Sequence, residues 1–300
     1  MAQKYPFSWS VSQNPKYMLK NKIRLYELIP PILPRVYQKL VAAKKEKEYE
    51  NFKDALSDCR GTSYEDIELC NVVAEKTKKY KDSLLREKPL LPTTSILPLV
   101  SAIDHCLLVQ NKQTLNILDI GGACGAHYFE VRHLIPQNIK INWIVLETPQ
   151  MVLSAKNQGL PTEELHFIDS LEMLDAPIDF VHSSGTLQYV AEPYSLLEQV
   201  VNLGATYLFF NRMMLNKENR EFITVQKSKL SWNGPGKLPE KYQDRTVFYP
   251  HTTLSFQKLN EKLSNKYILA WELDEKTGKY QIGNGKITGR ALLYIKQSRN

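Results

Sequence analysis

The sequence predicts a Rossmann-like α/β fold with a mostly parallel, seven-stranded sheet that ends in an antiparallel hairpin. From Leu115 onward, short apolar runs rich in β-forming residues alternate with segments of helix length. This alternation is typical of a parallel sheet covered by helices on both faces. The last two apolar runs are separated only by a Gly- and Lys-rich loop, so they should pair as a hairpin. A glycine-rich turn directly follows the first run, where such sheets bind ligands.

Seven runs have the length and composition of strands. They are Leu115 to Ile120, Ile139 to Glu147, Leu165 to Ile168, Phe180 to Ser183, Tyr207 to Arg212, Tyr267 to Glu272 and Arg290 to Lys296. The longest segment without a periodic pattern covers residues 229 to 251 and contains three prolines and two glycines. We expect it to be an irregular loop, and loops of this length in compact domains are commonly functional.

Three segments divide the chain: a basic amphipathic arm over residues 1–49, a helical segment over 50–112 and the α/β domain over 113–300. In the helical segment, apolar residues recur at helix spacing. The spacing is seen at Phe52, Ala55 and Leu56, at Ile67, Cys70, Val73 and Ala74, and in a third helix from Ser95 to Gln110. The segment is therefore a helical preamble to the sheet.

The basic charge is concentrated in the arm. Residues 1 to 50 hold ten Lys or Arg against four Glu, a balance of +6 within a net charge of +7. A body that is close to neutral argues against nucleic acid as a partner. The arm could contact an anionic membrane peripherally, or its apolar residues could pack on the domain.

No membrane span or secretion signal is evident, so we expect a cytoplasmic protein, with the inner membrane surface as the alternative location. The sequence does not indicate an oligomeric state.

The four cysteines give no metal or disulfide pattern. Cys59, Cys70, Cys106 and Cys124 are widely spaced, without a CxxC pair or a His at ligand spacing. They are interpreted as reduced thiols, and no metal site is predicted. Cys124 lies inside the glycine-rich turn, where a small side chain fits a tight place.

The glycine-rich turn predicts a nucleoside cofactor. A dinucleotide fingerprint beginning at Gly121 would need glycines at positions 123 and 126, and both are alanines. Asp119, Gly121 and Gly125 instead fit the pattern of S-adenosylmethionine enzymes, with Gly122 inside the turn. Glycines let the backbone approach the cofactor, and the N–H groups of the helix that follows can hold its carboxylate.

Four further residues are expected to contact the cofactor. Glu147 ends the second strand, 22 residues beyond Gly125, where a carboxylate can accept both ribose hydroxyls. The same carboxylate would also serve NAD. Asp169 and Ser170 follow the third strand and could meet the adenine, although Asp169 could equally cap the next turn. Ser184 follows the fourth strand and should face the methionine half.

The sequence resembles bacterial class I methyltransferases encoded beside surface-polysaccharide or lipopolysaccharide biosynthesis genes. The resemblance covers roughly residues 50 to 298. It rests on residues 49–55 with Gly61 and Tyr64, on 118–129, 147–149, 183–189 and 224–226, and on Asn211 with Arg212. It implies methyl transfer in a glycan context but names no acceptor. Asn211 departs from the acidic residue that is expected at that position.

Three functions remain open at this point. The first is methyl transfer from S-adenosylmethionine to an oxygen of a sugar or another small, hydroxylated or carboxylated acceptor that could be lipid-linked. The others are a non-catalytic nucleoside-binding scaffold in a membrane-associated assembly and an NAD-dependent oxidoreductase or epimerase. A hydroxyl acceptor usually needs a general base. The predicted catalytic residues are His127, Arg212 and His251, and Tyr128, His182, Tyr249 and Gln226 are further candidates at the mouth.

Overall fold

The computed structural model describes residues 47–61, 63–86, 96–275 and 287–298. The predicted arm therefore falls almost entirely outside the described residues. The helices are α1 (Phe52–Ser57), α2 (Ile67–Arg86), α3 (Leu97–Gln110), α4 (Ala126–Arg132), α5 (Pro149–Asn157), α6 (Pro193–Leu203) and α7 (Phe256–Leu263). The strands are β1 (Thr114–Ile120), β2 (Lys140–Leu146), β3 (Leu165–Ile168), β4 (Phe180–Ser184), β5 (Tyr207–Asn216), β6 (Phe222–Lys229), β7 (Thr246–Ser255), β8 (Tyr267–Glu275) and β9 (Ile287–Lys296). Within the described part, no helix is long and apolar enough to cross a membrane.

The sheet has the predicted topology. Strands β3, β2, β1, β4 and β5 lie side by side in that order and are parallel. β9 then runs antiparallel to β5, and β8 pairs antiparallel with β9 on its other side. A parallel sheet with one reversed strand inserted next to β5 is the class I methyltransferase architecture. All seven predicted strands are present, so the fold class is confirmed.

A second hairpin adds two strands that the sequence analysis did not predict. β6 pairs with β7 antiparallel over the full length of β6, and the end of β7 joins the end of β5 in parallel at Leu215 and Leu254. The prediction that residues 229–251 form an irregular loop is therefore wrong from residue 246 onward. The strand was not predicted because it contains Pro250, and a proline has no N–H to donate to a neighbouring strand. In the structure Pro250 lies opposite Val225 in a hairpin at the margin of the sheet.

The strand residues alternate between two cores. On one face, Leu115 and Ile117 of β1 pack with buried residues of α2, α3, α4 and α5. On the other face, Leu118 and Ile120 pack with buried residues of α6 and α7. Because successive side chains of a strand point to opposite faces, each of the strands β1 to β5 contributes to both cores. Asp119 lies on β1 and faces the first core, where its carboxylate is surrounded by the polar side chains described below.

Hydrogen bonds and ion pairs join helix α2 to the segment that connects β6 to β7. Lys76 is 1% exposed, and its ammonium donates to the carbonyls of Ser231 and Asn233 at 2.8 and 2.6 Å. At the start of β7, Arg245 forms ion pairs with Asp66 and Glu68, beside and within the first turn of the helix. The helical preamble and the extra hairpin are thus joined by buried and half-buried polar contacts.

Lys76→Met tests how much this contact contributes to stability. Met fills a similar volume but removes the donor from two half-buried carbonyls, and each lost hydrogen bond costs about 0.5–1.5 kcal/mol net. We expect the free energy of unfolding in urea to fall by roughly 1–3 kcal/mol. Lys78→Met, at an exposed position of the same helix, is the matched control. Equal stability of the two variants would show that Lys76 does not fasten the connection.

Candidate cofactor and acceptor site

The glycine-rich turn lies at the carboxyl end of β1 and adopts a backbone shape that requires small residues. Gly121, Ala123 and Gly125 have positive φ angles of 67°, 51° and 77°. A Cβ atom on Gly121 would lie 2.1 Å from the hydroxyl oxygen of Thr186. The added Cβ would also lie 2.7 Å from the Cβ of Thr186, so rotation of the threonine side chain would not relieve the clash, and the hydroxyl donates to the carbonyl of Ile120 at 2.9 Å. The turn is therefore packed against the segment that follows β4.

Glu147 links the second strand to the glycine turn. One carboxylate oxygen accepts the N–H of Ala123 at 3.0 Å and the other accepts the N–H of Thr148 at 2.9 Å. Burial raises the pKa of this carboxyl, and the two N–H donors partly offset that effect. Each oxygen keeps a second lone pair for an incoming hydroxyl. The predicted ribose acceptor is thus pre-oriented beside the turn.

Asp119 lies beneath the turn and does not open onto its mouth. Its side chain is completely buried, with one oxygen 2.8 Å from His182 Nδ1 and the other accepting the indole N–H of Trp143 at 3.2 Å. His127 Nδ1 lies 3.7 Å from the second oxygen. A Cβ on Gly122 would lie only 2.4 Å from this oxygen. Asp119 therefore supports the turn from below, and the predicted direct contact with the cofactor does not match this position.

The charge of Asp119 is stabilised by the two histidines. Burial alone would raise the pKa of Asp119, but His182 and His127 together hold it well below its usual range. The other ring nitrogen of His182 lies 3.2 Å from the side-chain oxygen of Asn211. His182 is fully buried between these two partners. It is a bridging residue, and Asn211 occupies the place where an acidic residue was expected.

The remaining predicted cofactor residues lie at the same edge of the sheet. Asp169 is exposed immediately after β3. Ser170 accepts the N–H of Glu172 at 3.2 Å and thereby caps a short 3₁₀ turn, so its hydroxyl already has a local role. The hydroxyl oxygens of Ser183 and Ser184 are buried and have no hydrogen-bond partner in the described part of the chain. A pair of unsatisfied hydroxyls at the end of β4 fits a polar ligand.

An aromatic cluster lies beyond the end of β4. Tyr64 stacks on Tyr249 with ring centroids 4.1 Å apart, and Tyr189 contacts Tyr64 edge-on at 5.1 Å. His251 contacts Tyr189 at 5.3 Å. Tyr189 follows Thr186 by three residues, so the cluster adjoins the glycine turn. Rings with polar tips are well suited to line a pocket for a small, partly polar molecule.

The candidates for a general base differ in their surroundings. Burial lowers the pKa of His251 to about 4, so this imidazole is neutral near pH 7 and is a weaker base than an exposed histidine. Burial raises the pKa of Tyr249 far above neutrality, and its hydroxyl donates to Asn233 at 2.9 Å. The hydroxyl of Tyr128 donates to Glu164 at 3.0 Å. The predicted base His127 lies beside Asp119. Next to the aromatic cluster, His251 remains as the candidate base.

Arg212 lies at an irregularity in β5. The pairing of β5 with β9 shifts register between Phe210 and Met213, and Arg212 has a φ of 54°. Its N–H donates to a carboxylate oxygen of Glu275 at 2.6 Å, while its own side chain is exposed. Burial is the main cause that raises the pKa of Tyr64, and the positive charge of Arg212 acts in the opposite direction, so this charge lies in the neighbourhood of the Tyr64 ring. Arg212 therefore belongs to the rim of the aromatic cluster.

Gln226 lies on β6 and completes this rim. Its side-chain oxygen accepts the hydroxyl of Tyr189 at 2.7 Å. The unpredicted hairpin thus supplies two polar groups of the cluster, Gln226 from β6 and His251 from β7. Tyr64 reaches the cluster from the loop before α2.

Helix α2 also covers the cofactor edge of the sheet. Its Cys70 is buried. Burial is the main cause that raises the pKa of this thiol to about 12, and the negative charge of the nearby Glu147 acts in the same direction. Cys124 of the glycine turn packs against Met151, with 3.5 Å between the sulfur atoms. All four cysteines are buried and none forms a disulfide, and burial raises the pKa of the Cys124 thiol and keeps it protonated. Cys124 therefore fills space, as expected, and is not a nucleophile.

Three residues of the site were not assigned a role from the sequence. Trp143 looks like a core strand residue, and only its indole N–H, aimed at Asp119, shows its polar role. Tyr64 and Asn211 were noted as part of a resemblance without a function. Their roles depend on contacts with residues that are distant in sequence, which local patterns do not report.

Comparisons with known proteins find only distant structural similarities. No protein-family profile and no curated sequence matches the chain. Among solved structures, similar chains include an S-adenosylmethionine-dependent methyltransferase from Clostridium acetobutylicum, with a TM-score of 0.40, 12% identity and coverage of 65% of this chain and 89% of that one. Magnesium protoporphyrin IX methyltransferase from Synechocystis with bound S-adenosylhomocysteine has a TM-score of 0.41, 12% identity and coverage of 67% and 82%.

Human N-acetylserotonin methyltransferase in complex with S-adenosylmethionine is a third example. Its TM-score is 0.41 and its identity 17%, with coverage of 68% of this chain and 52% of that one. Similarities at this level carry no cofactor or substrate over to this chain. The fold assignment rests on the strand order given above, and the resemblance to the surface-polysaccharide group stays a prediction.

Proposed function

We propose that the chain is an S-adenosylmethionine-dependent methyltransferase. The observation that carries the proposal is the hydrogen bond from the Ala123 N–H to Glu147 at 3.0 Å. It joins the turn that would cradle the amino-acid end of the cofactor to the carboxylate that would bind its ribose. The unsatisfied hydroxyls of Ser183 and Ser184 would meet the polar methionine end. The donor set therefore fits this cofactor.

Two rival functions are less well supported. A dinucleotide enzyme would need glycines where this chain has Ala123 and Ala126, and the reversed strand β9 departs from an all-parallel dinucleotide sheet. A non-catalytic scaffold would need no base and no acceptor pocket. The polar groups of Gln226 and His251 beside the aromatic cluster favour an enzyme with an acceptor pocket over a scaffold.

The cofactor, when bound, supplies an electrophilic methyl group on a positively charged sulfur. The protein then has to align an acceptor oxygen with that methyl group, and orientation of this kind can contribute about 7–11 kcal/mol to lowering the barrier. The oxygen must also lose its proton. In our proposal His251 accepts this proton. Arg212 and Gln226 orient the acceptor.

We propose a sugar or another small hydroxylated molecule as the acceptor, in surface-glycan biosynthesis as the resemblance implies. Tyr64 and Tyr189 are the half-buried rings of the aromatic cluster, and aromatic rings of this kind are surfaces on which a sugar ring packs. Gln226 offers a hydrogen-bonding group, and Arg212 can pair with a carboxylate or phosphate on the acceptor. This combination favours an anionic sugar or a sugar carried on a phosphate.

Glu147→Gln tests the cofactor assignment. The amide keeps the shape of the side chain but replaces one acceptor oxygen with a donor, so it cannot accept from both backbone N–H groups and from ribose. A lost hydrogen bond to a charged group costs about 1.5–3 kcal/mol, which corresponds to a roughly 10- to 100-fold weaker affinity. Equilibrium dialysis with methyl-labelled S-adenosylmethionine measures this. Glu163→Gln, at an exposed position before β3, is the control, and the same affinity in both variants would remove Glu147 from the cofactor site.

Methyl transfer to a panel of acceptors tests the proposed substrate class. The panel contains neutral sugars, uronic acids and their nucleoside-diphosphate forms, and we expect an O-methylated product from the anionic members. Arg212→Ala should lower kcat/KM for them by roughly 10- to 100-fold, because a charged hydrogen bond is lost, without changing cofactor affinity. Arg220→Ala, whose side chain pairs with Glu48 on the surface, is the control. An equal effect of both substitutions, or methylation of nitrogen or sulfur acceptors alone, would contradict the proposal.

A further inference from the structure

Three potential metal ligands meet beneath the glycine turn. Asp119 comes from β1, His127 from the first turn of α4 and His182 from β4. One ligand atom from each residue lies within 4.8 Å of the other two. Asp119 and His182 are completely buried, and the His127 side chain is 27% exposed. The cluster is thus enclosed on two sides and open on the side of His127.

The hydrogen-bond partners inside this cluster leave one nitrogen atom unsatisfied. The two ring nitrogens of His182 have partners, since Nδ1 lies 2.8 Å from the Asp119 carboxylate and Nε2 lies 3.2 Å from the side-chain oxygen of Asn211. When Nε2 carries the hydrogen and donates to Asn211, Nδ1 has a lone pair that can bind a cation. His127 Nδ1 is buried without a hydrogen-bond partner in the described residues, 3.7 Å from the same carboxylate. Two imidazole nitrogens and one carboxylate thus lie close enough to one another to share a cation.

We propose that Asp119, His127 and His182 bind a divalent transition metal ion of the zinc type. Two imidazoles and one carboxylate are a ligand set that zinc and related ions use, with further positions left open. Ligand atoms about 2.0–2.2 Å from such an ion lie roughly 3.0–3.5 Å from one another. His182 lies 2.8 Å from one oxygen of Asp119 and His127 lies 3.7 Å from the other, and these separations bracket this range. Binding of one ion by all three residues requires side-chain shifts.

The surroundings support the ligands as they do in known metal sites. Metal-binding histidines commonly donate their other N–H to an oxygen, and binding carboxylates are themselves hydrogen-bonded. In this cluster Asn211 provides the oxygen that faces the other ring nitrogen of His182. The Trp143 indole donates the hydrogen bond to the Asp119 carboxylate, at 3.2 Å. The open position faces His127 and the glycine turn. The ion would fix the floor of the turn and leave one side accessible to a ligand.

Metal content tests the proposal without any measurement of methyl transfer. The full chain is stripped with a chelator, loaded with Zn²⁺ or Co²⁺, freed of excess metal and analysed by mass spectrometry of the elements. We expect one ion per chain, and visible Co²⁺ absorption bands that indicate nitrogen ligands. His127→Ala should abolish stoichiometric retention. The control is His166→Ala, at an exposed position on β3, which should retain the ion.

A second variant distinguishes weaker metal binding from misfolding of the chain. Asn211→Ala removes only the partner of His182, and loss of such a partner weakens metal affinity by about 10- to 100-fold. Melting curves show whether each variant is folded. Failure of the wild-type chain to retain Zn²⁺, Co²⁺ or Fe²⁺ would overturn the proposal and leave an Asp119–His182 pair bridged by a proton. Equal metal loss in the His127 and His166 variants would overturn it as well. Neither result bears on the cofactor proposal, which is measured by nucleoside binding.

Discussion

The close packing of the glycine turn between two carboxylates is the constraint on which the site depends. Glu147 accepts from the turn on one side, and Asp119 lies against Gly122 on the other. Thr186 fills the third side below Gly121. No side chain fits at these glycines, so the turn has a single backbone path. This path fixes where a ligand can approach the carboxyl ends of β1, β2 and β4.

Asp119 connects this turn to the interior of the sheet. A buried carboxylate is stable only when charges and donors surround it. His182 and Trp143 come from the neighbouring strands, and His127 comes from the helix that the turn begins. The same residue that shapes the turn therefore organises a polar cluster inside an otherwise apolar core. Through His182 and Asn211 this cluster extends from β1 to β5, directly before the bulge at Arg212.

The acceptor side is built from parts that lie outside the common sheet. Tyr64 comes from the helical preamble, and Gln226 and His251 come from the additional hairpin. Lys76 and Arg245 fasten these two parts to each other. The sheet thus supplies the cofactor edge, and the added elements supply the pocket beside it. This division explains why the glycine turn predicts a cofactor class and says nothing about the acceptor.

The parts of the structure that could be predicted are those with a local signal. The strands β1 to β5, β8 and β9 and the turn at Gly121 follow from apolar runs and glycine spacing. The hairpin of β6 and β7 was missed because Pro250 obscures its pattern. The cluster around Asp119 was missed because His127, His182 and Trp143 converge only through the parallel register of β1, β2 and β4. Long-range register of this kind leaves no trace in local periodicity.

Calorimetric titration of the full chain with S-adenosylmethionine, S-adenosylhomocysteine and NAD⁺ tests the central claim most directly. The account predicts that both methionine nucleosides bind with one site per chain and that NAD⁺ releases no heat of binding. Binding of NAD⁺ alone, or of none of the three, would contradict it.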